Sequence, residues 1–186
     1  VVTPQKSDSF YLRLRIPGWA RNQVLPGELY SYADRTRQPP VLKLNGSPIR
    51  YRLQDGYAII NRTWQPGDTV ELDLPMPARY VTCTDKVAAN RGRLALVRGP
   101  IVYGIEEADN DGHVFDLLFD ADNPFAPQHK PDLLGGVTVL TGTARLCTRT
   151  EEGTVKKTPF DVTLIPYYAW CHRGAGKMNV WHAAEE

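Results

Sequence analysis

The sequence predicts an all-β protein made of two small antiparallel β-sandwich domains, jelly-roll-like and packed together. Three observations favour this fold class. Apolar residues alternate with a period of two, tight-turn signals recur about every 8–12 residues, and no segment of about ten residues or more has the hydrophobic period of an amphipathic helix. In its C-terminal half the sequence becomes more apolar, and its apolar residues alternate less regularly. We therefore place the domain boundary near residue 85, with domains at residues 1–85 and 86–186.

The first predicted strand lies just before a proline-glycine stop. Leu12, Leu14 and Ile16 alternate with polar or aromatic neighbours, which is the pattern of a strand with one buried face. Pro17 and Gly18 then end the strand, because neither continues a regular β-ladder well.

Three turns follow in the first domain. Asn45 and Gly46 lie between two alternating runs, the strongest local signal for a hairpin, because both residues tolerate a positive φ. Asp55 and Gly56 repeat the signal, and the Pro-Gly-Asp segment 66–68 marks a third turn. Turns spaced this regularly predict an antiparallel meander.

Residues 20–40 interrupt this meander and predict a long ordered loop, because they are rich in proline and glycine. The apolar side chains Leu25, Leu29, Tyr30 and Tyr32 in this loop have no predicted strand of their own. We therefore expect the loop to dock on another domain. It should be exposed or mobile where that domain is absent.

The second domain carries the remaining predicted strands, at residues 93–97, 101–105, 115–119, 136–146, 160–165 and 178–181. Residues 151–153 predict an exposed hairpin tip. Residues 120–131 contain three prolines and predict an irregular loop.

Composition argues against several classes of protein. Lys and Arg number 22 against 21 Asp and Glu, a net charge of +1, so the basic stripe of a nucleic-acid-binding protein is not expected. No run of about 18 apolar residues could span a membrane. The chain begins without the charged and apolar segments of a signal peptide. That beginning fits a mature secreted chain, a cytoplasmic protein or a piece of a longer one.

Thiols and imidazoles are scattered along the sequence rather than clustered. Cys83, Cys147 and Cys171 are odd in number and lack C-x-x-C spacing, so neither a disulfide framework nor a zinc site is expected. Cys171 and His172 are adjacent and would point to opposite faces of a strand. We expect a partly buried thiol and an exposed imidazole there, no metal ion and no cofactor.

The acidic cluster at residues 106–111 is a candidate for acid–base chemistry. Glu106, Glu107, Asp109 and Asp111 follow an apolar strand, and paired carboxylates are the machinery of a glycosidase. Neighbouring acids repel one another, so a solvated turn, or at best a weak calcium site, is the favoured interpretation. The alternative is a self-sufficient hydrolase that uses Glu106 or Asp109 with a second carboxylate.

Aromatic residues near the end of the chain are candidates for carbohydrate binding. Tyr167, Tyr168 and Trp170 follow Pro166 at a predicted rim, and a flat apolar ring can stack on a sugar. Packing between domains is the alternative role for these rings. Trp64, which precedes a tight turn, is predicted to lie in the core.

A series of short motifs in fixed order resembles the C-terminal, non-catalytic part of glycoside hydrolase family 127, the β-L-arabinofuranosidase family. The resemblance covers about residues 8–182. The motifs are 14–20 (LRIPGWA), 29–30 (LY), 44–46 (LNG), 56–57 (GY), 62–64 (RTW), 67–68 (GD), 74–77 (LPMP), 90–92 (NRG), 98–103 (RGPIVY) and 165–170 (IPYYAW).

This resemblance implies a large helical (α/α) barrel elsewhere in the polypeptide, followed by two β-sandwich regions. The barrel of the family carries a zinc-bound cysteine nucleophile and a glutamate acid/base. No residue of this chain aligns with those positions, so Cys83, Cys147 and Cys171 are not assigned the nucleophile's role. We expect the chain to be a piece of a longer protein.

The leading hypothesis is a non-catalytic accessory region of a bacterial glycoside hydrolase. It would support the missing (α/α) barrel in the degradation of plant-type polysaccharides. No catalytic residue is expected here, and the expected partners are the barrel of the same polypeptide and glycans. The alternative is a carbohydrate-binding module that contacts glycans through Tyr167, Tyr168 and Trp170. A polysaccharide-degrading parent favours a periplasmic or extracellular location, although a cytoplasmic one is compatible with the sequence.

Overall fold

The computed structural model describes residues 1–35 and 38–185, and strands dominate it. In this part of the chain, helical structure is confined to four 3-10 turns: Trp19–Arg21, Ala88–Asn90, Glu107–Asp109 and Tyr167–Ala169. None of the helices described is long and apolar enough to cross a membrane. The predicted all-β fold class with antiparallel sheets is confirmed.

The strands are numbered in chain order. They are β1 (Asp8–Arg15), β2 (Tyr30–Tyr32), β3 (Val41–Leu44), β4 (Ser47–Pro48), β5 (Arg52–Gln54), β6 (Tyr57–Trp64), β7 (Val70–Asp73), β8 (Ala78–Cys83), β9 (Arg93–Arg98), β10 (Ile101–Glu106), β11 (Leu117–Phe119), β12 (Ala126–Lys130), β13 (Val137–Arg149), β14 (Val155–Pro166), β15 (Met178–Asn179) and β16 (His182–Ala184).

Contacts divide the chain into two compact units. The first comprises Val1–Pro26 and Thr36–Met76, and the second comprises Gly27–Arg35 and Pro77–Glu186. The predicted domain boundary near residue 85 stays a prediction, because compactness does not establish which segment folds alone.

The first unit is a sandwich of two three-stranded sheets, β1-β6-β5 and β4-β3-β7. Its core consists of Ile16, Leu42, Ala58, Ile60 and Trp64, with further apolar residues packed around them. The alternation predicted for β1 is confirmed, since every second side chain turns inward and Ile16 is buried at the end of the series. Trp64 is fully buried, as predicted, and its indole nitrogen donates a hydrogen bond to the Phe10 carbonyl.

Both predicted Asx-Gly hairpins are present in this unit. Asn45 and Gly46 join β3 to β4 with φ angles of 48° and 78°, and Asp55 and Gly56 join β5 to β6 with 53° and 78°. Two successive positive φ angles define the type I′ turn, whose twist matches that of the strands it joins. The third predicted turn is also present, with Gly67 at φ 93°.

The second unit is one sheet that closes on itself. Its strand order is β15-β10-β14-β13-β11-β16-β9-β8-β2, β12 adds to β13, and β9 also pairs with β10. That last pairing closes a ring of six strands, all antiparallel except for the β11–β16 pair. The ring encloses a core whose fully buried members include Phe119, Ile105, Leu140 and Leu164. The predicted hairpin tip at residues 151–153 joins the two longest strands, β13 and β14.

Two segments predicted as loops contain strands. Tyr30–Tyr32 forms β2 and pairs with β8, and Ala126–Lys130 forms β12 and pairs with β13. Both are edge strands that pair with a neighbour on one side only, so the backbone N–H and C=O groups on the other side face away from the sheet. An edge position also accepts Pro127, which has no N–H to donate. The loop prediction was wrong for these residues because a neighbouring strand, rather than local alternation, makes them extended.

Candidate functional site

The acidic cluster after β10 is bound by an arginine distant in sequence. Glu106 ends β10, and Asp109 ends the 3-10 turn that follows. Arg173 Nη2 donates to Glu106 Oε2 and, over 2.5 Å, to Asp109 Oδ2, while Nη1 donates to Asp109 Oδ1 over 2.7 Å. The hydrogen bonds that Arg173 donates raise its pKa, and those to Asp109 have the largest effect. Burial lowers the pKa of Arg173, and the hydrogen bond to Glu106 raises it further.

The solvated turn predicted for this cluster is wrong for Glu106, which is only 3% exposed. Burial of a carboxylate is costly unless a cation pairs with it, and Arg173 supplies that cation. A glycosidase pair needs one protonated and one ionised carboxyl group. Here one guanidinium binds both carboxylates, so the geometry gives Glu106 and Asp109 a structural role.

Asn110, the residue after this turn, is almost completely buried, at 1% exposed. Its side-chain amide donates to the carbonyls of Glu106 and Thr163, over 2.8 and 2.9 Å. Its side-chain oxygen accepts from the Thr163 N–H over 2.9 Å. The turn is therefore fixed to β14 as well as to Arg173. Sequence reasoning missed both partners, because they lie more than fifty positions away.

The aromatic cluster predicted to bind carbohydrate lies at the end of β14. Tyr167 and Tyr168 begin a 3-10 turn and are 50% and 64% exposed, respectively. The Tyr167 ring stacks on Trp170 with centroids 6.2 Å apart and planes 18° apart. Buried Ala169 and half-buried Trp170 pack on the Val137 and Ile165 cluster beneath. The local arrangement is a rigidly held turn that presents two tyrosine rings to solvent.

The predicted docking loop, residues 20–40, divides into exposed and anchored parts. Leu25 and Leu29 are 54% and 46% exposed, whereas Tyr30 and Tyr32 are half-buried in β2. Residues 36 and 37 of this loop lie outside the described residues. Docking of the segment on another domain stays a prediction.

Tyr32 is held by a cation and an acid within the second unit. The Arg79 guanidinium lies over the Tyr32 ring, 3.5 Å from its centroid, and binds both carboxylate oxygens of Asp34 over 3.0 Å each. Burial raises the pKa of Tyr32, although the charge of Arg79 opposes this rise. Tyr30 packs against Trp181 with ring centroids 5.7 Å apart. These contacts fix β2 in place and leave Leu29 at its exposed end.

The thiols and imidazoles form no common site among the described residues, which also contain no group of three or more His, Cys, Asp or Glu able to hold a metal ion. Cys83 and Cys147 are half-buried and Cys171 is exposed, all as free thiols. Cys171 has a left-handed backbone (φ 68°) in a turn. The expectation of a partly buried thiol at this position was therefore wrong.

His182, in β16, is the most deeply buried imidazole, 1% exposed and stacked on Phe119 with centroids 4.2 Å apart. Neither ring nitrogen has a hydrogen-bond partner among the described residues. Burial, with a smaller effect of Arg93, lowers the pKa of His182 to about 3. The ring is therefore neutral at physiological pH and behaves as a core residue.

Family models cover nearly the whole chain. Residues 78–183 match the C-terminal domain of glycoside hydrolase family 127, and residues 1–76 match the middle domain of the same family, described as a β-L-arabinofuranosidase.

Known proteins with similar sequences and structures have the same description. The chain is 33% identical to a non-reducing end β-L-arabinofuranosidase of Bifidobacterium longum, over 90% of the chain and 25% of that enzyme. A solved GH127 β-arabinofuranosidase matches with 41% identity and a TM-score of 0.91, over 96% of this chain and 28% of that one. A GH127 β-L-arabinofuranosidase from Geobacillus stearothermophilus T6 matches with 34% identity and a TM-score of 0.84, over 98% of this chain and 28% of that one. The chain thus spans about a quarter of the length of these relatives.

Proposed function

We propose that this chain, which belongs to glycoside hydrolase family 127, acts as a non-catalytic accessory region that supports a catalytic (α/α) barrel. The parent enzyme would remove β-L-arabinofuranosyl groups from plant-type polysaccharides. Relatives that are described as β-L-arabinofuranosidases support this activity for the parent enzyme. The catalytic residues would lie in a part of the protein that this chain does not include.

The state of the ionisable groups is the observation that carries this proposal. Glu106 and Asp109 are bound by Arg173, and His182 is buried without a polar partner. Acid–base catalysis needs a group that can reach substrate and exchange a proton with it. Glu106, Asp109 and His182 are thus engaged in holding the fold.

Exposed apolar side chains support a docking role. Leu25 and Leu29 leave about half of their surfaces in water, although neighbouring Tyr30 and Tyr32 are well anchored. We propose that each leucine packs on the barrel of the parent enzyme, since removal of apolar surface from water stabilises association.

Reconstitution in two pieces tests the accessory role. The chain is mixed with the catalytic region of its parent protein, and hydrolysis of an aryl β-L-arabinofuranoside is followed. We expect no turnover by the chain alone. The catalytic region should become more heat-resistant when the chain is added, and this gain should shrink for Leu25→Ser/Leu29→Ser. Phe115→Ser, which removes a side chain 68% exposed elsewhere, is the matched control. Turnover by the chain alone, or a catalytic region indifferent to it, would refute the proposal.

The exposed Tyr167 and Tyr168 favour glycan binding as a second candidate function. Calorimetric titration with a neutral arabino-oligosaccharide tests it. We expect millimolar or tighter affinity that is lost in Tyr167→Ala/Tyr168→Ala and kept in Phe115→Ala. Absence of heat at millimolar sugar, or equal loss in the control, would exclude this function.

A further inference from the structure

The outward face of the β1-β6-β5 sheet carries a row of two arginines around an isoleucine. In the strand register, Ile59 of β6 lies directly opposite Arg13 of β1 on one side and Arg52 of β5 on the other. Directly opposed residues of antiparallel strands lie on the same face of the sheet, so these three side chains share one face. Both arginines are exposed. Their Cα atoms are two strand spacings apart, about 10 Å. No hydrogen bond or ion pair joins either guanidinium to a described residue, so both remain available to a ligand.

The next row of the same face is held rigidly by the hairpin turn. The Arg15 guanidinium lies 5.2 Å from the centroid of the Tyr57 ring and donates to the carbonyls of Asp55 and Gly56 over 3.3 and 2.9 Å. Tyr57 is 39% exposed, and Tyr11, in the row on the other side of Arg13, is 64% exposed. The two tyrosines therefore flank the arginine row.

The face as a whole is basic. It comprises the outward residues of the three strands, which are Ser9, Tyr11, Arg13, Arg15, Arg52, Gln54, Tyr57, Ile59, Asn61 and Thr63. Among these described residues are three arginines and no acid, whereas the complete chain carries a net charge of only +1. Asp55, in the adjoining turn, lies at the rim of the face. This face therefore carries a local excess of three positive charges.

We propose that this face binds an acidic polysaccharide whose sugars carry uronate carboxylates. A guanidinium binds a carboxylate through two parallel hydrogen bonds, and the tyrosine rings can stack on the apolar faces of sugars. A sheet face with two arginines about 10 Å apart fits an extended polymer. Nucleic acid is less favoured, because a specific complex neutralises roughly 6–10 phosphates and this face has three arginines. The site lies in the first unit and depends on neither the accessory role nor Tyr167 and Tyr168.

Titration of the chain with polygalacturonate at low salt tests this proposal. Its fully methyl-esterified form has the same backbone without the charge and serves as the ligand control. We expect binding of the acid form only, with affinity falling as salt is added. Arg13→Gln/Arg52→Gln should weaken binding by at least about tenfold, and Tyr11→Ala should weaken it as well. Arg149→Gln, which removes an exposed arginine of β13, should leave the affinity unchanged. Thermal unfolding of each variant establishes that the fold is retained.

Several results would overturn the proposal. They are absence of binding, equal binding of the methyl ester, equal binding of DNA, and equal loss of affinity in Arg149→Gln and in the double variant. A further opposing result would come from the parent's catalytic region. If that region shields Arg13 and Arg52 from an arginine-specific reagent, the face is a domain interface and not a glycan site.

Discussion

The side chain of Asn110 and the backbone of Thr163 form a reciprocal pair of hydrogen bonds, each 2.9 Å long. An asparagine side chain offers the same donor and acceptor as a peptide group, so Asn110 takes the place that a neighbouring strand would occupy beside β14. The turn after β10 is thereby built into the sheet, although its sequence, Asp-Asn-Asp-Gly, is that of a solvated loop.

Asn110→Ala should lower the free energy of unfolding by about 3 kcal/mol, because it removes the hydrogen-bond partners of the Thr163 N–H and C=O and of the Glu106 carbonyl. Urea denaturation followed by tryptophan fluorescence measures the change. Asp122→Ala, at an exposed position of another turn, is the control and should shift the midpoint little. A shift for Asn110→Ala no larger than that of the control would contradict this role.

Arg173→Met should destabilise the protein by about 3 kcal/mol, because the Glu106 carboxylate would stay buried without its cation. Adding Glu106→Gln removes the unpaired buried charge and should restore part of the lost stability. A double-mutant cycle from chemical denaturation measures this coupling. Additive effects of the two substitutions would mean that Arg173 and Glu106 do not stabilise each other.

His182 should make the protein sensitive to acid. Its pKa is near 3 in the folded state and about 6.5 in an unfolded chain, so the unfolded chain binds the extra proton between these values. Stability should therefore be greatest above pH 6.5 and should fall toward pH 3, with a slope from this group of up to about 1.4 kcal/mol per pH unit.

The variant His182→Leu tests that assignment, since it keeps an apolar side chain against Phe119 and cannot take up a proton. Unfolding free energies measured between pH 7 and pH 4 should depend less on pH than those of the original chain. His172→Leu changes an exposed imidazole and should keep the original slope. Equal slopes for all three proteins would show that His182 does not control the acid response.

Two hairpin glycines with equal φ angles of 78° should respond differently to alanine. A Cβ at Gly46 has nothing within 4 Å, so Gly46→Ala bears only the cost of the left-handed backbone, about 1 kcal/mol. A Cβ at Gly56 would lie 1.7 Å from Arg15 Nη1, so Gly56→Ala also displaces the guanidinium and should cost about 1 kcal/mol more.

Thermal and urea unfolding of both variants measures this difference. In an Arg15→Ala background, Gly56→Ala should cost no more than Gly46→Ala does in the original chain, since no guanidinium contact is then left to lose. If the Gly46→Ala and Gly56→Ala variants are equally stable, the contact of Arg15 with the turn makes no measurable contribution to the free energy of unfolding.

Much of the fold could be predicted because its signals are local. Asn45, Gly46, Asp55 and Gly56 encode the two type I′ turns through the φ angles that they tolerate, and the alternation of β1 encodes its buried face. β2 and β12 could not be predicted in this way. Each is a short edge strand whose extended shape comes from pairing with β8 or β13.

The candidate sites were less predictable than the fold. Tyr167, Tyr168 and Trp170 were singled out by type alone, and their stacking and exposure required the turn after β14. Arg173 was not a candidate, because no sequence pattern relates it to Glu106 across 67 positions. Arg13 and Arg52 likewise share a face only through their pairing with Ile59 in β6.

By itself, the sequence determined the β-rich fold class, the tight turns of the first unit and the resemblance to one hydrolase family. These depend on backbone preferences and on short motifs that neighbouring residues specify. Only the tertiary structure decided which acids are neutralised, which imidazole is buried and which arginines lie side by side. Charge and burial depend on the distance between groups in space, and strand pairing sets that distance for residues far apart in the chain.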